Sequence, residues 1–119
     1  MAQDRPTAAE LLSAIADLLR EEVTPVLDKV EPRLGFQMRV AANSLAILER
    51  EARLGPTADA REHERLVKLL GRDGTLDELN RELARQLRDG TRDERDVMLM
   101  AHLEATIAGK IAIANPRWK

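Results

Sequence analysis

A chain of 119 residues is long enough for one domain with a true core, and 44% hydrophobic with 34% charged residues excludes disorder as the default reading. Lys and Arg number 19 against 21 Asp and Glu, and the formal net charge of −2 excludes a general field for nucleic acid. The lack of cysteine excludes disulfides and thiolate metal sites and fits a reducing, cytoplasmic setting, while Phe36 and Trp118 as the sole aromatics leave no platform for stacked bases.

The opening MAQDRPT carries an acid and no apolar stretch, unlike a signal peptide, and apolar runs such as Val97 to Ala101 are too short to span a bilayer, so no membrane partner is expected. Thr7-Ala8-Ala9-Glu10 is a capping box that opens a helix to about Glu22, with Ala8, Leu11, Leu12, Ile15, Leu18 and Leu19 on one stripe. Thr24-Pro25 and Glu31-Pro32 predict two breaks, since the residue before proline avoids helical geometry. Between them, Val26, Leu27 and Val30 are expected to plug one end of the core.

Gly35 to Gly55 predicts a central helix over about 33–54 with two apolar faces. Met38, Ala41, Leu45, Leu48 and Ala52 lie on one side, and Phe36, Val40, Ile47 and Leu54 on roughly the other. Such a helix is expected to be covered from two directions, by its own chain or by a second copy. Leu54-Gly55-Pro56 predicts its stop, because Gly accepts the left-handed cap conformation and Pro cannot extend a helix. A charged surface helix follows over 59–70 with Leu66, Val67, Leu69 and Leu70 inward, ended by Gly71.

Thr75 and Glu78 form a second capping box, and Leu76, Leu79, Leu83 and Leu87 give the next helix a narrow leucine stripe. Thr91 or Asp93 is expected to cap the last helix, over about 93–114. Its bulky face holds Leu99, Met100, Leu103, Ile107, Ile111 and Ala114, and its small face Ala101, Ala105, Ala108 and Ala112. The small face is expected against Ala41, Ala42 and Ala46 or against another subunit. Asn115-Pro116 ends the helix, and the whole reads as a single all-α domain, 1–119, a helical bundle of about five helices.

The residues supply little chemistry. His63 and His102 lack a partner at metal-ligand spacing and read as a solvated residue and a helix-flank residue; no metal or cofactor is expected. Ser13 and Ser44 fall inside predicted helices without a nearby base, and no glycine-rich phosphate loop is present, so a non-catalytic role is favoured over an enzyme. Arg61, Arg65 and Lys68, like Arg81, Arg85 and Arg88, read as solvated faces with intrahelical ion pairs. Arg39, Asn43 and Arg50 form a polar seam on the central helix with two open readings: a tie to acids such as Asp17 or Asp28, or a contact site for a partner or an anion.

Gly35-Phe36-x-x-Arg39-Val40-Ala41-Ala42-Asn43, Glu49-Arg50-Glu51, Gly71 with Leu79-Asn80, and the ending Ile111-Ala112-Ile113-Ala114-Asn115-Pro116-Arg117 together resemble a bacterial family of short helical proteins classed only as a domain of unknown function. The resemblance covers nearly the whole chain, with Trp118 standing where tyrosine is expected. It implies companions, being similar to proteins encoded beside aminoglycoside-phosphotransferase-like kinases and acyl-CoA dehydrogenases. The leading expectation is therefore a non-catalytic accessory protein for such an enzyme, with a homodimer open. The alternative is a small-ligand module holding an acyl-CoA-like or phosphorylated anion at Arg39, Asn43 and Arg50, together with Arg117.

Overall fold

A computed structural model describes residues 5–117, and among them every regular element is a helix. Helix α1 (Ala8–Leu18) continues through a wide π-helical turn, Leu19–Val23, into α2 (Thr24–Val30). Then come α3 (Pro32–Leu70), α4 (Leu76–Arg88) and α5 (Val97–Ala114). The all-α expectation holds, with four helical stretches in place of about five, because two predicted neighbours have merged. Two compact units divide the chain, the first ending at Leu54 and the second beginning at Gly55, a division that falls within α3.

In the first unit, Thr7 caps α1 through the expected box: its hydroxyl accepts from the Glu10 amide, and the Glu10 carboxylate accepts from the Thr7 amide. The Thr24-Pro25 break does not occur. Pro25 sits in the first turn of α2, directly after the π turn, where a missing N–H costs little. The break at Glu31 is real, with φ −147° and ψ 87°. Val26 and Val30 are exposed rather than plugging a core, and of that trio Leu27 alone is half-buried.

The 8–30 run lies antiparallel to the first half of α3. Arg20 reaches the Ala42 carbonyl, and Asp28 reaches Arg39. Small residues make the close approach: Ala16 and Ala42 are buried, and a Cβ on Gly35 would overlap the Asp28 carboxylate and stand 3.2 Å from the Asp28 backbone nitrogen. Of the two α3 faces, the one carrying Met38, Ala41 and Leu45 is partly covered, whereas Phe36 at 61% and Val40 at 49% are open. Within the first unit, the chain itself leaves the Phe36 side uncovered.

The predicted stop at Gly55-Pro56 is overturned, because α3 passes through it to Leu70. An internal proline costs a helix one hydrogen bond and a clash with the carbonyl four residues back. Leu66 and Leu69 further along are buried, and that burial offsets the penalty. The left-handed glycine cap passes to Gly71, at φ 68°. The 59–70 segment is accordingly the latter part of α3 rather than a separate helix, with Asp59, Arg61, Glu64 and Lys68 exposed and its leucines inward as expected. Leu66 and Leu69 form the core of the second unit with Leu79 and Leu83 of α4 and Leu99 of α5, flanked by Val67, Leu70, Leu76 and Leu103.

Thr75 and Glu78 close their capping box as expected. Helix α5 starts later than predicted. Asp96, not Thr91 or Asp93, is the cap and accepts from the Leu99 amide, while the Thr91 hydroxyl bonds Asp89. Arg92 explains the delay: it spans Gln86, Asp96 and the Leu69 carbonyl, pinning the loop to the end of α3. On α5, Leu99 is buried but Met100 and Ile107 of the predicted bulky face are open. Ala105 and Ala108 of the small face line a cleft of the second unit together with Ala58 and Arg61 of α3.

Helix α5 as a whole, 18 residues with mean hydropathy 1.5, is long and apolar enough to cross a membrane, although its unbroken apolar runs are short. It carries Glu104 and Lys110, and it places Leu99 and His102 in the helical core of the unit.

Candidate functional site

The seam singled out on α3 is a set of ties across the first unit. Arg39 pairs with Asp28 at 2.7 Å, both side chains about half exposed, and that hydrogen bond raises the Arg39 pKa. The Asn43 side-chain oxygen accepts from Arg20 at 3.3 Å. Arg50 is half-buried on the same helix and also has an interaction partner. The seam is more open to solvent than a partly buried network, because Arg39 and Asn43 are both exposed. Arg117 belongs to the second unit, where it is exposed just beyond α5. Trp118, read with it as the tail, lies outside the described residues.

The second unit builds a different arrangement, from residues read as bland. His102 is 3% exposed and lies one helical turn after Leu99, so it shares that residue's inward direction. The Arg65 Nε–H donates to His102 Nδ1 at 3.2 Å, and another Arg65 nitrogen donates to the Thr106 hydroxyl at 3.1 Å. Burial, and next the Arg65 charge, push the His102 pKa down. With Nδ1 accepting, the neutral ring carries its proton on Nε2. Both acceptors of Arg65 are therefore uncharged, so its guanidinium is held in place without being neutralised.

One face of this trio opens on a cleft of about 470 Å³ between α5 and the latter part of α3. Arg61, Arg65 and Lys110 bring positive charge to it, Asp59 and Glu62 bring negative charge, and Ala105, Ala108 and Gly109 give an apolar floor. A smaller hollow of about 200 Å³ lies at Arg65, Lys68, Met98 and His102. His63 is half-buried rather than solvated, with Nε2 2.8 Å from the Gly74 carbonyl. Asn80 donates to Glu62 at 3.0 Å, tying α4 to the same stretch of α3.

The ion pairs expected on the two arginine-rich helices divide between them. On α4, Arg81 pairs with Asp77, and Arg85 with Glu82 and Asp89. Hydrogen bonds from Arg85 and then Gln86 lower the Glu82 pKa to about 2. On α3, Arg61, Arg65 and Lys68 have no carboxylate at ion-pair distance among the described residues. Sequence reasoning missed the trio, although His102 and Thr106 share the phase of Leu99 and Leu103 on an apolar helix. Polar groups at that phase need a buried partner. No group of three or more metal-ligating side chains occurs among the described residues.

Fold and site define an all-α protein made of a helical hairpin and a three-helix unit with a cationic cleft. The chain belongs to the family described as Domain of unknown function (DUF6285), which matches residues 28–118 and so includes the seam, the Arg65 trio and the cleft. No curated protein and no solved structure matches the chain.

Proposed function

We propose that this chain is a non-catalytic helical interaction protein that docks through its first unit onto a partner enzyme. The observation that carries the reading is the apolar surface that unit leaves open. On α1, Leu11, Ile15 and Leu18 recur on one side and are 46–49% exposed; on α3, Phe36, Val40 and Ile47 are 36–61% exposed. The buried residues of the same unit are small or polar: Ala16, Thr24, Gly35 and Ala42. Covering a half-open aliphatic side chain gains about 1 kcal/mol, so a partner that seats several of them gains enough to offset much of the cost of association.

The resemblance to bacterial proteins encoded beside aminoglycoside-phosphotransferase-like kinases and acyl-CoA dehydrogenases supplies the partner class, in a cytoplasmic setting. A second copy of the chain competes for the same face. The rival reading, an anion held at Arg39, Asn43 and Arg50, has less support because Asp28 already answers the Arg39 charge and Arg20 occupies the Asn43 oxygen.

Size-exclusion chromatography with light scattering, run on the chain alone and with each enzyme, tests the proposal. Co-elution with one enzyme, lost in Ile15→Glu and Phe36→Glu, is expected. Failure to co-elute with either enzyme, with both enzyme activities unchanged, overturns it.

A further inference from the structure

Several long cationic side chains on this chain pair with acids, as Arg39, Arg53, Arg81, Arg85, Arg92 and Arg95 do. The cleft of the second unit gathers cations that do not. Arg61, Arg65 and Lys110 converge on it without an ion-pair partner among the described residues, although Asp59 and Glu62 stand in the same lining. Glu62 is engaged by Asn80, and Arg65 is fixed by two neutral acceptors. A guanidinium oriented by neutral partners keeps N–H groups and a full charge for an incoming oxyanion, in a geometry that suits two parallel hydrogen bonds.

Charge and shape narrow the ligand. Three cations against two carboxylates leave the lining with a surplus of one positive charge, which suits a monoanion better than a phosphate dianion. The remaining wall is apolar and set back, because Ala105 and Ala108 are small and a Cβ built on Gly109 would meet nothing within 4 Å. At about 470 Å³ the space falls in the ordinary range for a small-molecule site. We propose that this cleft binds a small aliphatic carboxylate, its carboxylate held by Arg65 with Arg61 and Lys110 beside it and its chain lying along Ala105, Ala108 and Gly109.

This site is separate from the apolar face of the first unit, and either proposal can fail alone. The test is a calorimetric and thermal-shift titration of the full chain with hexanoate, with hexanol as the same chain without charge, and with inorganic phosphate. Hexanoate is expected to bind saturably and raise the melting temperature, as any ligand of the native state must. Hexanol and phosphate are expected to bind at least about tenfold more weakly.

Arg65→Met should abolish hexanoate binding, but it also strips His102 and Thr106 of their donor and can unfold the unit. Gly109→Leu answers that: it adds a better helix former and fills the cleft, so it should melt no lower than the parent while losing hexanoate by about tenfold or more. The proposal is overturned if hexanoate does not bind saturably, if hexanol or phosphate binds equally well, or if a folded Gly109→Leu binds hexanoate like the parent.

Discussion

Replacing glycine by alanine inside a helix ordinarily stabilises it, and two glycines of this chain should give opposite answers to that one change. Alanine is favoured over glycine in a helix interior by about 0.8–1 kcal/mol. At Gly109 in α5 the new methyl meets nothing within 4 Å, so Gly109→Ala should realise that gain nearly in full. At Gly35 in α3 the same methyl would overlap the Asp28 carboxylate, with Asp28 Cγ 3.0 Å and its backbone nitrogen 3.2 Å away. Swinging the carboxylate aside breaks the Asp28–Arg39 pair, which at about half exposure is worth roughly 0–1 kcal/mol.

The backbone contact at Gly35 remains after that swing, and forcing an extra methyl into a packed helix crossing costs about 1–3 kcal/mol. Gly35→Ala should therefore destabilise by about 1–2 kcal/mol net of the propensity gain, a difference of roughly 2–3 kcal/mol between the two variants. Urea unfolding followed by circular dichroism at helical wavelengths measures it, with the midpoint rising for Gly109→Ala and falling for Gly35→Ala. Equal stabilisation by both would refute the packing of the 8–30 run against α3 at Asp28.

Leu79→Ala, at a side chain 1% exposed, should cost about 3–4 kcal/mol, and Leu87→Ala, at 40% exposed, less than about 1; near-equal urea midpoints would contradict the leucine core. His102 titrates lower folded than unfolded, so the unfolded chain binds more protons below about pH 6.5. Stability should thus be level above that pH and fall as pH drops through 6.5 toward the lower folded value. His102→Gln should remove part of the loss in thermal melts between pH 7.5 and 5.5, and an unchanged pH dependence in that variant would count against the burial of the ring. Pro56→Ala restores a helical donor inside α3 and should stabilise by about 1–3 kcal/mol with more helical ellipticity, whereas a helix that stopped at Leu54 would gain neither.

The readings that held are those that rest on neighbouring residues. Thr7 with Glu10 and Thr75 with Glu78 close as boxes because both partners lie within one turn, and the leucine spacing of α4 selects the inward Leu79 and Leu83 for the same reason. Local signals also carried the all-α class, since no alternating pattern competes with the helical period. Where a local preference met a distant contact, the contact prevailed. Pro56 should end a helix, yet the burial of Leu66 and Leu69 against α4 and α5 carries α3 past it.

The site divides the same way. Arg39, Asn43 and Arg50 stand out in the sequence because they share a sector of one helix, but whether they face a ligand or a neighbour depends on Asp28 and Arg20, which sequence spacing cannot position. Arg65, His102 and Thr106 are up to 41 positions apart and meet only through antiparallel packing of α5 on α3. The sequence by itself determined the all-α class, the capping boxes at Thr7 and Thr75 and the inward turn of Leu79 and Leu83, since these depend on interactions within a few residues. Tertiary structure alone decided which arginines are left without an acid, because that depends on which helices come side by side.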